Sequence, residues 1–380
     1  MPKHSTISMV SFYLLFFLLP NYVFRNVVVI AWGPYAHEYF GGLVLNETAT
    51  ATTHLSSSSL AASYSYFLAG CTAPDAMKYI SPELHTLEFS AVLYLYAAAY
   101  MTPYYFTNKK NHNQENRNDA TMEEFALGYG CHIASDLVGH HLNGFIDPLH
   151  DHSLEFATDA YLYHQHQRRQ QQMYQLRHTN QPSYNTLSFP NKLTDQEADM
   201  IYSASQTATT QYNISMHPNI VSQKQVRSAM HKFNAMETVE KQMMKFDLVY
   251  RTDMIKYSAC KHSKRSSSSK SIPFENVIQD LQLSSDWIKQ MCIHWNSEMI
   301  NLRKLETGRI KKKREGTPWQ RGDTSVNKND EKEMYESIVT AVESMYTLVD
   351  LLFESNGGTS CAADIDHNVV PSPSLHASFS

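Results

Sequence analysis

Apolar positions recur every three to four residues through most of the chain, and polar stretches separate one run from the next. Leu60–Gly70, Thr194–Thr207, Ser222–Tyr250, Phe274–Leu305 and Met334–Phe353 carry this spacing, which predicts amphipathic helices. Within Phe274–Leu305, the residues Val277, Leu281, Trp287, Ile288, Met291, Trp295 and Ile300 form the predicted core wall. Leu87–Met101 is more uniformly apolar, and Val92–Phe106, crowded with Tyr94, Tyr96, Tyr100, Tyr104 and Tyr105, reads as a core helix ending in an aromatic turn. Pro74 is expected to end the helix before it and to set Asp75 in a turn. No convincing strand run and no internal repeat is present. The predicted fold is therefore all-α, a single multi-helix domain over residues 32–354.

Four polar stretches interrupt the pattern and are expected to be insertions: an Asn-rich one at about 107–120, a His- and Gln-rich one at about 165–190, a Ser-rich linker at about 261–272, and a charged loop at about 304–333 holding the basic run Arg309–Arg314. Residues 355–380 have the composition of a disordered tail. At the other end, Lys3 and His4 precede two apolar runs, Met9–Leu19 and Tyr22–Ile30. Pro20 and Arg25 break the stretch, which makes it a poor membrane span, and Val29 and Ala31 fit a small-residue cleavage site. Residues 1–31 thus read as a signal peptide, with Trp32 as the first mature residue and a secreted or secretory-lumen location. The sequons at Asn46 and Asn213 agree with that route. A net charge of -5 argues against a generally nucleic-acid-binding surface. Five cysteines are too few and scattered for a disulfide scaffold, and their odd number leaves at least one unpaired in a monomer.

Candidate chemistry is concentrated in Cys131–Ala160, which holds five histidines and five acidic residues. His132, Asp136 and His140 stand four apart, so on a helix they project from one face. After the Gly144–Pro148 turn, a second helical segment is expected to present His152 with Glu155, and Glu155 with Asp159, on a shared face. So many charged and imidazole groups among apolar positions are costly unless a cation pairs them. Mixed imidazole and carboxylate donors suit zinc, with manganese or iron compatible in ligand type. Upstream, a free Trp32 amine with its carbonyl, and His37 one turn on, form a second candidate grip. Asp75 and His85, each an ordinary helix-start residue if taken alone, complete the candidates.

Taken in order, Trp32, His37, Pro74-Asp75, His85, His132 with Asp136, His140, His152 and a later acid resemble the zinc-dependent phospholipase C/D superfamily. That group takes in bacterial phospholipases C, the N-terminal domain of glycosylphosphatidylinositol-specific phospholipase D, and S1/P1-type nucleases. The resemblance implies an all-helical fold with up to three zinc ions: Trp32 and His37 on one; Asp75, His85 and His132 on another; Asp136 bridging the two; and His140, His152 and Glu155 on the third. It also implies Asp75 as general base. The four-residue step from Asp136 to His140 is similar to the glycosylphosphatidylinositol phospholipase D pattern, with His141 the alternative ligand. The His152–Glu155 step is one residue short of the usual four, so His150, Asp151 or Asp159 stand as substitutes.

The expected function is secreted, zinc-dependent hydrolysis of phospholipid head-group phosphodiesters, with a phospholipid or membrane surface as partner and no protein partner indicated. The alternatives are an S1/P1-type single-strand nuclease, with nucleic acid as the partner, and a zinc-binding domain without catalysis.

Overall fold

The computed structural model describes residues 33–51, 65–78, 80–101, 112–143, 158–159, 162–163, 193–212, 214, 221–245, 274–315 and 324–355. The predicted signal peptide, Trp32, the Ser-rich linker, the His- and Gln-rich stretch and the predicted disordered tail lie outside them. The described elements in chain order are α1 (Pro34–Ala51), α2 (Ala73–Met77), a 3-10 turn (Pro82–Leu84), α3 (Leu87–Leu95) running into a π-helical turn (Tyr96–Met101), α4 (His112–Asn143), α5 (Asp195–Gln211), α6 (Gln223–Lys245), α7 (Phe274–Glu315) and α8 (Thr324–Ser355). Residues 65–70 are also helical. No strand occurs among the described residues.

The fold is arranged around α4. Its buried stripe reads Met122, Phe125, Tyr129, Ile133 and Val138, and the polar residues His132 and Asp136 lie on the same buried side. Around it pack α1, α2, α3 and α7, while α8 pairs with α7, α5 lies against α3 and α6, and α6 lies against α2. Where residues 65–70 cross α4 the backbones touch. A Cβ on Gly70 would lie 2.1 Å from the Phe125 carbonyl oxygen, and one on Gly128 only 2.0 Å from that of Phe67. Glycine at both positions lets the backbones meet.

Helix α7 is fastened to α4 beside the candidate site. Trp295 is fully buried with its indole over Gly130, where a Cβ would be 1.7 Å from Nε1. Cys131 and Cys292 form a disulfide, and Cys71 is a buried free thiol. Cys260 and Cys361 lie outside the described residues.

Several expectations need correction. Pro74 does not end a helix but sits at the start of α2, where its missing N–H costs nothing, and Asp75 falls in the first turn. The Asn-rich stretch is already helical from His112, because it extends the well-anchored α4. The basic run continues α7 to Glu315 rather than forming a loop, since Lys, Arg and Glu are good helix formers and cations suit a helix C-terminus. Of the predicted α7 wall, Trp287, Ile288, Met291 and Trp295 are buried, whereas Ile300 is 47 % exposed on the outer face.

Candidate metal centre

Five predicted ligand residues meet in one buried place: His37 from α1, Asp75 from α2, His85 from the turn after the 3-10 segment, and His132 and Asp136 from α4. Each is delivered by an identifiable local contact. Asp159 caps α1 from across the chain, its Oδ2 accepting from the Tyr35 amide at 2.9 Å and its Oδ1 from the Ala36 amide at 2.8 Å. A carboxylate on the exposed N–H groups of a first turn fixes the entry of α1 and therefore His37. Gly33 allows it, because a Cβ there would sit 2.4 Å from Asp159 Oδ2. The Tyr129 hydroxyl donates to the Leu84 carbonyl at 2.6 Å and ties the His85 turn to α4. Thr86 caps α3 by accepting from the Phe89 amide.

Hydrogen bonds also set the tautomers of two imidazoles. The Cys71 carbonyl oxygen lies 2.7 Å from His132 Nδ1 and can only accept, so Nδ1 carries the proton. Ser135 Oγ donates to the His132 carbonyl at 2.8 Å and hence accepts from His37 Nδ1 at 2.7 Å. In neutral His37 and His132 the lone pair is then on Nε2, and both Nε2 atoms point at carboxylates. His37 Nε2 is 3.2 Å from Asp136 Oδ1, and His132 Nε2 is 3.4 Å from Asp136 Oδ2 and 3.7 Å from Asp75 Oδ1. His85 Nε2 lies 3.3 Å from Asp136 Oδ2 and 3.0 Å from His132 Nε2. The His37 and His132 rings stack at 3.7 Å, while His85 stands edge-on to His132.

This arrangement is repulsive unless something positive sits inside it. Both Asp136 oxygens, Asp75 Oδ2 and His37 Nε2 are buried without a well-aligned hydrogen bond. Lone pairs facing carboxylates across such distances would be orphaned polar groups in a protein with no cation there. The spacings suit zinc: a tetrahedron with bonds of about 2.0–2.1 Å has an edge of about 3.3 Å, near the separations just given. Two donor groups result, His37–Asp75–His132 and His85–His132–Asp136, each close enough to share an ion. Burial favours the neutral form of Asp136, and only positive charge at the His132 and His37 positions overcomes it and holds the carboxyl well below the usual range. Burial holds His85 towards its neutral, donor form against the pull of Asp136.

Asp75 differs in one respect. Its Oδ1 accepts a 2.8 Å bond from the ammonium of Lys78, itself buried, leaving Oδ2 to face the site. Burial alone would raise its pKa, but Lys78, then His132 and His37, bring it down. Lys78 and Ser135 did not stand out in the sequence, although both sit within three residues of a candidate ligand. Asp159, one of the substitutes for Glu155, has both oxygens engaged by α1 amides. Trp32, His150, Asp151, His152 and Glu155 lie outside the described residues, and of His140, His141 and Asn46 only the helical backbone is described. Asn213 is outside as well.

Residues 36–207 match the family model described as zinc dependent phospholipase C. No curated protein and no solved structure matches the chain. The matched segment contains every residue of the two donor groups and runs from α1 into α5, so it is the segment carrying the candidate centre that is similar to the zinc-dependent phospholipase C family.

Proposed function

We propose that the chain is a zinc-dependent phosphodiesterase of the secretory pathway acting on phospholipid head groups, with His37, Asp75, His85, His132 and Asp136 as zinc ligands. The observation that carries this reading is the pair of tautomer-locked imidazoles aimed with His85 at a buried, unsatisfied Asp136. Zinc at such a site supplies Lewis acidity towards phosphoryl oxygens and activates water near neutral pH. The chain's own residues do the rest. Asp136 spans the two donor groups, Oδ1 towards His37 and Oδ2 towards His85 and His132. Ser135 and the Cys71 carbonyl keep His37 and His132 in the ligating tautomer. Lys78 holds Asp75 by Oδ1, so Oδ2 is presented to the site as a ligand or as the acceptor that orients the attacking water. A carboxyl with a lowered pKa suits that orienting role better than storage of a proton.

A third ion on His140, His152 and Glu155, and Trp32 as an N-terminal ligand, belong to the same proposal. So does secretion, which the Cys131–Cys292 disulfide supports because such bonds persist in oxidising compartments. No described helix is long and apolar enough to cross a membrane.

The test uses secreted chain, with its N-terminus sequenced and its zinc content measured. Zinc-loaded protein is offered choline and inositol phospholipid vesicles and, separately, single-stranded DNA and RNA. Head-group release that chelation abolishes and zinc restores is the expected result, and phosphorylated versus free head group identifies the bond cut. Release of mononucleotides instead would assign the nuclease chemistry. Bound zinc with neither turnover would leave a non-catalytic zinc domain.

A further inference from the structure

The chain carries a net charge of -5, yet one of its helices is basic on its outer side. Helix α6 holds five lysines and arginines against two glutamates, and one of those, Glu237, is turned into the core. Its buried stripe is Val226, Met230 and Phe233, so Lys224, His231 and Lys232 stand on the exposed side, with Arg227 at the border to α5. Together with Ser228 and Ala235 these four line a groove of about 620 Å³. On the α5 side, Asp199 takes the Arg227 guanidinium at 2.6 and 2.9 Å, and Asp195 Oδ1 lies 3.3 Å from His231 Nε2. Lys224 and Lys232 have no acidic partner among the described residues. They stand eight positions apart on the helix, about 12 Å along its axis, so each ammonium can meet a separate anion.

We propose that the outer face of α6 docks the protein on an anionic phospholipid surface, with Lys224 and Lys232 meeting lipid phosphates. The choice of a membrane rests on the hydrolase reading, whereas the charge argument stands without it. Lysines close to such a surface gain from its negative potential, and salt weakens the gain because it is lost within a Debye length. Lysine also suits a fluid array of phosphates, since its ammonium is a mobile point charge without the fixed fork of arginine. Met236, 41 % exposed and next in the chain to Ala235 at the end of the groove, adds an apolar contact. A nucleic-acid strand fits less well, because no Phe, Tyr or Trp lines the groove to stack a base. With Arg227 and His231 answered by aspartates, two lysines make the attachment weak and reversible. Helix α6 packs on α2, the carrier of Asp75, so the metal centre is held one helix away from the docking face.

The experiment takes the full zinc-loaded chain and measures its cosedimentation with vesicles of phosphatidylcholine alone and of phosphatidylcholine mixed with phosphatidylserine, at low and high salt. The chain should sediment with the anionic vesicles, stay in solution with the neutral ones, and be released by salt. K224E/K232E should bind the anionic vesicles about tenfold or more weakly, with zinc content and turnover of a soluble, monomeric phosphodiester equal to wild type. K224Q/K232Q should fall between the two, and it takes over as the readout if the charge reversal lowers the melting temperature. Equal binding to both kinds of vesicle, or binding that neither double variant weakens, overturns the proposal. Single-stranded RNA held more tightly than anionic vesicles, and lost by K224E/K232E, also overturns it and assigns the face to nucleic acid. Sedimentation needs no turnover, which separates the two readings: anionic binding without head-group release leaves this proposal standing and sinks the hydrolase, while head-group release with no preference for anionic vesicles does the reverse.

Discussion

Two buried carboxylates in this molecule have opposite surroundings. Glu306 on α7 is fully buried, and both its oxygens are gripped by the Arg309 guanidinium one turn on, with the Tyr212 hydroxyl 3.3 Å from Oε1. Asp136 on α4 is almost as buried, yet neither oxygen accepts a well-aligned hydrogen bond, and three imidazoles converge on it. The first carboxylate is neutralised by the chain itself and is structural. The second receives no such bond from the chain and faces three imidazoles instead. Burial is common to both, so satisfaction of the oxygens, rather than burial, distinguishes a brace from a ligand.

The contrast is most severely tested by exchanging charge at each carboxylate. D136N should lose bound zinc and cut phosphodiester turnover by about 10³-fold or more, the scale of removing a principal electrostatic group. With metal removed the same variant should melt no lower than wild type, because an unanswered charge has gone; a lower melting temperature would show that Asp136 is a structural partner. E306Q should behave in reverse, keeping its zinc while losing about 1–3 kcal/mol of stability in denaturant unfolding as the half-buried Arg309 loses its charged partner.

Next in size is the clamp behind the centre. Replacing both members of the Cys131–Cys292 bridge by serine should cost about 2–5 kcal/mol in denaturant unfolding. Because Cys131 adjoins His132, zinc affinity should fall along with stability, and unchanged affinity would separate the clamp from the site.

S135A is a finer probe. It removes the acceptor that fixes the His37 tautomer and should weaken zinc binding about 10- to 100-fold with little change in melting temperature of the metal-free chain.

The smallest effect concerns an exposed carboxylate outside the metal centre. Asp199 has its pKa lowered chiefly by the hydrogen bond from Arg227 on the exposed α5–α6 surface. A depressed folded-state pKa gives stability that is present above the unfolded value and lost as pH falls through the folded one. Melting temperature in acid should therefore drop slightly more steeply for wild type than for R227A, and salt should reduce the difference.

Much of this was legible from residue spacing. The four-residue step from His132 to Asp136 places both on the buried side of α4, whereas His37, Asp75 and His85 were drawn to the same centre only by the family resemblance of their order in the chain. The all-α class followed from periodicity alone. What periodicity could not give was the second layer. Ser135 looks like any small helical residue until the His132 carbonyl takes its proton, and Lys78 looks like a surface cation until α2 turns it onto Asp75. Helix ends were also misread. The basic end of α7 and the Asn-rich start of α4 have the composition of loops, but each extends a helix already fixed by its buried face. Glu237 shows the converse, an acid in a polar helix whose register alone puts it indoors.

The disulfide carries a consequence for how the molecule is made. Cys131 and Cys292 are 161 residues apart, and the second lies well beyond the segment that matches the family. During synthesis every histidine and aspartate of the two donor groups emerges long before the wall behind them does. A nascent chain halted after residue 207 would hold the five ligands and none of α7, with neither Trp295 over Gly130 nor a partner for Cys131. The wall behind the donor groups, and the bridge that fastens it, can therefore be completed only after α7 has been translated, long after the residues of the two donor groups.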